Sequence, residues 1–271
     1  MTTRLHTRGD TIIRLGRSDG DIADPATLRP HQGTRIDRVF HLAALTFVPQ
    51  SWDHPAEFHR VNTGGTLNVL EFCRAQNIPL THISAYLYGV PKTQPIREDH
   101  PLAPNNPYAL SKALAEQACQ FYAAVHGLPV TVVRPFNVYG PGQGGDFLIP
   151  SILTQVLKSD HIEVRDLAPK RDFLYIADLV ELFLATMHAP AGYNVYNAGT
   201  GVSLSVAEAI ATAQAEAATS KQVRSLQVTR VQEIDDTRAD IARAQSELGW
   251  SPKHSFRDGI RATIKAMQEA T

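Results

Sequence analysis

Apolar, β-branched runs alternate along this chain with stretches whose apolar positions recur at helical spacing. Thr11-Ile12-Ile13-Arg14-Leu15 and Arg38-Val39-Phe40-His41-Leu42 read as strands. Residues 53–77 read as helical, with Val61, Leu67, Val69, Leu70 and Phe72 as the apolar positions. Leu80-Thr81-His82-Ile83-Ser84 follows as a strand, then an Ala- and Leu-rich helix from Ala109 to Val125, stopped by His126-Gly127-Leu128-Pro129. Val130-Thr131-Val132-Val133-Arg134 is the next strand. Strands separated by helices of this length predict βαβ units and a parallel sheet. From about Gly140 the rhythm loosens into Pro- and Gly-rich turns, short strands such as Ile162-Glu163-Val164, and scattered helices, one of them the Ala-rich stretch 207–218.

The chain has 271 residues, 26 basic and 27 acidic side chains and a hydrophobic fraction of 43%, so it is long enough to bury a substantial core. Near-zero net charge gives no electrostatic reason to expect nucleic acid or an anionic membrane as partner. No apolar run approaches the roughly 20 residues of a membrane span, and the first residues lack the apolar stretch of a signal peptide. Cys73 and Cys119 match neither a metal spacing nor a disulfide framework and read as thiols of a reducing compartment, so a cytoplasmic protein without a metal centre is expected.

Tyr108-Ala109-Leu110-Ser111-Lys112 sets a phenol and an ammonium four residues apart at the start of a helix, on one face. A phenol near pKa 10 is a poor proton carrier at neutral pH; a neighbouring ammonium, and a nicotinamide cation if bound, would stabilise the phenolate and pull its pKa toward the working range. A solvated helix face can carry such a pair by chance, so its surroundings decide. Ser84-Ala85-Tyr86-Leu87-Tyr88-Gly89 leaves a predicted strand, where open parallel sheets place their ligand crevice. Arg134-Pro135-Phe136-Asn137-Val138-Tyr139-Gly140 leaves another.

With His41-Leu42-Ala43-Ala44, Asn62-Thr63-Gly64-Gly65-Thr66, Asn106-Pro107-Tyr108, Arg171-Asp172-Phe173 and Gly249-Trp250, these segments occur in an order that resembles the NAD-dependent epimerase/dehydratase family of extended short-chain dehydrogenases/reductases, from about residue 9 to 266. That family modifies nucleotide sugars, as UDP-galactose 4-epimerases and GDP-sugar reductases do. The resemblance implies a Rossmann-like, doubly wound parallel sheet with a smaller C-terminal α/β substrate-binding region. The first domain would be 1–138 plus about 172–197, and the second 139–171 plus 198–271. It implies NAD or NADP as cofactor, a nucleotide-diphosphate sugar as substrate, and a homodimer formed through helices near 55–75 and 109–125. Tyr108 would be the acid/base, Lys112 would bind the nicotinamide ribose, and Ser84 would orient the substrate oxygen. Leu42, Ala43 and Ala44 would line the cofactor cleft, with Asp21 and Ile22 flanking the adenine; His41 would be structural and Asn62 an indirect support. Asn137, Arg171, Arg230 and Glu233 would meet the substrate.

Three departures matter. The family's glycine-rich pyrophosphate turn precedes the second strand, here 11–15. It is therefore expected before residue 1, since Arg8-Gly9-Asp10 holds one glycine and reads as the turn entering that strand. Either the coding start lies upstream, or the chain is a shortened member, or the fold closes around the gap. Second, the acidic ribose-reading position is taken by Gly16-Arg17, where an arginine suits a 2′-phosphate; a surface-loop arginine is the equal alternative. Third, dehydratases carry Asp-Glu after the catalytic hydroxyl, and here those positions are Ala85 and Tyr86, which disfavours dehydration. Epimerisation is the leading reading, NADPH-dependent reduction of a 4-keto sugar the second, and a non-catalytic interaction or regulatory module the third.

Overall fold

A computed structural model describes residues 1–228 and 234–269, and the chain divides into two compact units. Unit one comprises residues 1–87, 102–133 and 186–195; unit two comprises 88–101, 134–185 and 196–271.

A four-stranded sheet of order β1-β2-β3-β8 is formed by β1 (Val39–His41), β2 (Leu80–Ile83), β3 (Val130–Pro135) and β8 (Tyr193–Ala198), with β3 as far as Val133 and β8 as far as Val195 counted in unit one. β1 pairs parallel with β2, setting Val39 opposite Leu80 and His41 opposite His82; β2 pairs parallel with β3, setting Leu80 opposite Val130. Every residue of β3 is buried, as expected for a parallel strand covered on both faces. The crossover between β1 and β2 runs through α2 (Val48–Asp53), α3 (Pro55–Phe58), a π-helical turn (His59–Gly64) and α4 (Gly65–Gln76). That between β2 and β3 runs through α5 (Pro107–His126). The Asn106 side chain accepts from Ala109 N at 2.8 Å and Pro107 occupies the first turn, so the start of α5 is fixed by its own sequence. Gly127, at φ 65°, ends it. Leu70, Cys73, Leu80, Cys119, Val130 and Val132 form the core between α4, α5 and the sheet.

Thr11–Leu15 is not a strand. It is irregular, with Ile13 and Leu15 exposed, and follows a short helix, α1 (Thr2–Thr7). Apolar alternation holds an extended segment only when a neighbouring strand takes its backbone groups, and none of the described strands pairs with 11–15.

In unit two, β4 (Asn137–Tyr139) pairs parallel with β7 (Phe173–Tyr175), and β5 (Ile162–Val164) with β10 (Val223–Ser225). β6 (Lys170–Arg171) lies between β9 (Leu204–Ser205) and β11 (Asp236–Thr237). The helices α6 (Leu148–Lys158), α7 (Ile176–Ala185), α8 (Val206–Glu216), α9 (Ala242–Leu248) and α10 (Phe256–Glu269) accompany them, α8 opening on a Ser205–Glu208 capping box. β4 pairs with β7, and residues 172–185 fall within this unit.

Candidate active site

Tyr108 and Lys112 lie on the inward face of α5. The aliphatic packing of Ala85 and Leu87 on Ala109 and Ala113, with Tyr108 against it, brings the segment after β2 onto the first turns of that helix. Lys112 is 1% exposed, and its Nζ donates to Ile83 O at 2.5 Å, next to Ser84. Ser84 is buried, its backbone held by an N–H donated to Val133 O at 2.8 Å, while its Oγ has no hydrogen-bond partner among the described residues. A buried hydroxyl without a partner costs about 1–3 kcal/mol; a substrate oxygen would satisfy it. The structure therefore brings Ser84, Tyr108 and Lys112 to one place.

Without a bound nicotinamide, burial dominates both groups. Burial pushes the Tyr108 phenol up, to about 12, and pushes the Lys112 ammonium down, to about 8. In the protein alone, desolvation outweighs the help that an ammonium one turn away gives to a phenolate. His41 is buried and donates its Nε2–H to Thr66 Oγ1 at 3.1 Å, because the Thr66 hydroxyl is itself spent on Asn62 O. Burial and the charge of Lys112 hold His41 down near 3, so it is neutral and structural.

The loop after β1 carries Leu42, Ala43 and Ala44, the first two exposed. Asn62, in the π-helical turn, pins this loop: its Oδ1 accepts from Leu45 N at 2.8 Å, and its Nδ2 donates to Leu45 O at 3.0 Å and Ser111 Oγ at 2.9 Å. Thr63 donates to Ser111 O at 2.9 Å. Ser111, inside the Tyr-to-Lys interval, thus ties the catalytic helix to the cofactor-side loop. Sequence reading missed Ser111 and Thr63; their one signal was position, within the two motifs. Ile22 packs against Gly65, where a Cβ would stand 2.7 Å from Ile22 Cγ2, and its carbonyl accepts from Asn68. Asp21 is engaged by Arg60 at 2.6 Å, which with Ala23 N–H holds its carboxyl below the usual range. Arg17 is exposed in a turn.

Described by itself, unit two holds Asn137 on β4, its N–H donated to Asp172 O at 3.0 Å, and Arg171 on β6. The Arg171 guanidinium donates to the carbonyls of Lys170 and Ile234, at 2.8 and 2.6 Å. Arg230 and Glu233 lie outside the described residues. Among the described residues, no group of His, Cys, Asp and Glu is placed to hold a metal ion, and no helix is long and apolar enough to cross a membrane.

The residues present fit a nicotinamide dinucleotide at one place, where Tyr108 and Lys112 meet the open Ser84 hydroxyl. Among the described residues no strand precedes β1, and residues 1–38 hold no G-x-G-x-x-G turn to take the pyrophosphate.

A parallel sheet flanked by helices, with a Tyr/Lys pair whose lysine is buried beside the end of a central strand, defines the short-chain dehydrogenase/reductase class, and comparison with known proteins agrees. The chain belongs to the family described as GDP-mannose 4,6 dehydratase, whose model matches residues 5–263. It is 33% identical to GDP-6-deoxy-D-mannose reductase of Pseudomonas aeruginosa over 260 residues, covering 90% of this chain and 84% of that one. It is 31% identical to UDP-glucose 4-epimerase of Mycolicibacterium smegmatis, covering 84% and 74%. Among solved structures, RMD from Pseudomonas aeruginosa complexed with NADPH superposes with a TM-score of 0.87 at 30% identity, over 93% of this chain and 88% of that one. The Thermus thermophilus UDP-glucose 4-epimerase complex with NAD gives 0.86 at 26% identity, over 100% and 95%.

Proposed function

We propose that this protein is an NAD(P)-dependent enzyme that epimerises a nucleotide-diphosphate sugar through a transient keto sugar, acting as a cytoplasmic homodimer. The observation that carries the reading is the buried, unpartnered Ser84 hydroxyl beside Lys112 and the Tyr108 helix turn. Tyr108 Oη takes the proton of the reacting sugar hydroxyl and later returns it; Ser84 Oγ holds that oxygen; Lys112 Nζ supplies positive charge opposite the phenolate. The bound dinucleotide supplies hydride acceptance and return. Because the phenol stands near 12 without it, the cationic ring is what would bring Tyr108 into range. Asn137 and Arg171, with Arg230 and Glu233, are assigned to the nucleotide diphosphate, and Leu42, Ala43, Ala44, Arg17, Asp21 and Ile22 to the dinucleotide.

Dehydration is disfavoured although the family model is named for it. Eliminating water needs an acid and a base beside the hydroxyl, and Ala85 and Tyr86 stand where dehydratases carry Asp-Glu. A second reading, NADPH-dependent reduction of a 4-keto nucleotide sugar, is favoured by the identity to a reductase and by Arg17. The deciding assay offers UDP- and GDP-sugars with NAD, and keto sugars with NADPH, to wild type and Tyr108→Phe. Stereochemical interconversion lost in the variant supports epimerisation; NADPH oxidation lost in the variant supports reduction. Absence of dinucleotide binding together with identical behaviour of the two proteins leaves the non-catalytic reading.

A further inference from the structure

His82 is buried in a way that packing alone does not explain. The residue is 0% exposed, and neither ring nitrogen has a hydrogen-bond partner among the described residues. A buried polar atom without a partner bears its full desolvation cost, and such atoms are rare in folded proteins. An apolar side chain of similar shape would fill the core better. Alternation along β2 fixes where the ring lies. Thr81 faces Arg38 and Thr186 on one side of the sheet, whereas Leu80 joins the core against α4 and α5. His82 shares the face of Leu80. Lys112 reaches that face from α5, its Nζ bonded to Ile83 O one residue further along the same strand. Burial first, then the charges of Lys112 and His41, hold His82 well below the usual imidazole range. The ring is therefore neutral, with one N–H and one lone pair. His41 stands opposite across the β1–β2 ladder, ring centroids 5.2 Å apart, its own Nε2 spent on Thr66. Cys119 and Glu116 follow Lys112 on α5 and favour its charged form.

Lys112 has the complementary surplus. An ammonium carries three N–H donors, and among the described residues this one donates to Ile83 O alone. We propose that His82 is a positioning residue for Lys112, its imidazole lone pair accepting one N–H of the ammonium in the dinucleotide-loaded protein. The inference rests on the role given to Lys112 above and adds a residue to it. A ribose bound from the crevice engages the ammonium on one side. Ile83 O and the His82 ring are the acceptors on the strand side, so that each N–H has a partner. Both ring nitrogens are unpartnered, so the imidazole turns to the ammonium without breaking another bond. An ammonium held at two points keeps its charge in one place relative to Tyr108, four residues earlier on the same helix. The presence of a polar ring in an otherwise apolar core is then accounted for.

The test compares wild type, His82→Phe and His82→Gln as full chains. Each is followed by thermal unfolding in circular dichroism, by titration with NAD and with NADPH, and by turnover in the assay above. His82→Phe removes two unpartnered nitrogens and should melt no lower than wild type. Its dinucleotide affinity and its turnover should nevertheless each fall about tenfold, the loss of one hydrogen bond to a charged group. His82→Gln keeps an acceptor and should recover most of both. His82→Leu carries the same measurements where the larger ring does not pack. An apolar variant that binds and turns over as wild type does overturns the proposal and makes His82 a core residue. A Gln variant as impaired as the apolar one also overturns it, since the acceptor is then not what matters. Wild type that binds neither dinucleotide overturns the proposal together with the reading of the site. A His82 effect on affinity in a protein whose Tyr108→Phe variant is as active as wild type leaves the His82 contact standing and removes Tyr108 from the chemistry.

Discussion

Replacing Lys112 by Met removes the most deeply buried charge of the catalytic set while keeping an unbranched side chain of similar length. In the folded chain the ammonium loses its proton near 8, against 10.5 for the unperturbed group, because burial disfavours the charged form. That gap corresponds to about 3 kcal/mol of preference for the neutral amine. The direction follows from proton counts. Below pH about 8, folded and unfolded chains both hold the proton and the group adds no slope. Between about 8 and 10.5 the unfolded chain still holds it and the folded chain does not, so wild-type stability rises with pH. Lys112→Met lacks this term. Its lost bond to Ile83 O and altered packing displace its stability by a fixed amount, and every other titrating group is common to both proteins. The difference in unfolding free energy, wild type minus variant, should therefore grow by about 3 kcal/mol between pH 7 and 11. Urea unfolding followed by circular dichroism at a series of pH values measures it. A difference that stays flat, or falls with pH, refutes the claim that Lys112 is held charged at a cost to the fold. The variant should also lose turnover, since a group that destabilises the fold is retained for its chemistry.

Asn62→Ala removes an amide that bonds Leu45 twice and Ser111 once, and should cost about 2–4 kcal/mol in urea unfolding, with turnover falling as the loop after β1 loosens. Asp172→Ala should cost about 4 kcal/mol or more, because the fully buried carboxylate accepts from Thr200 N and Oγ1, Gly201 N and Ala239 N at 2.7–3.1 Å. In Gly259→Ala the new Cβ would stand 2.0 Å from the buried Tyr139 hydroxyl, which donates to Phe256 O. Overpacking of about 1–3 kcal/mol or more should outweigh the helix-propensity gain of about 1 kcal/mol, so the thermal midpoint should fall.

What the sequence determined by itself was local. Asn106, Pro107 and Gly127 bound α5 through cap and turn chemistry, and the buried run 130–135 identifies a covered parallel strand, because these features depend on neighbours a few residues away. The Tyr108/Lys112 spacing placed both groups on one helix face for the same reason. Tertiary structure decided the rest. Thr11–Leu15 has a strand's composition but takes no strand form, since a ladder needs a second chain segment that composition does not name. The tie from Asn62 and Thr63 to Ser111 spans 49 and 48 positions and exists only after α5 docks beside the π-helical turn. The sign of the Tyr108 shift was likewise set by burial, a property of the whole fold, rather than by the lysine written four residues downstream. The catalytic groups could be read from the sequence because their spacing is helical; their energies could not, because desolvation depends on everything packed around them.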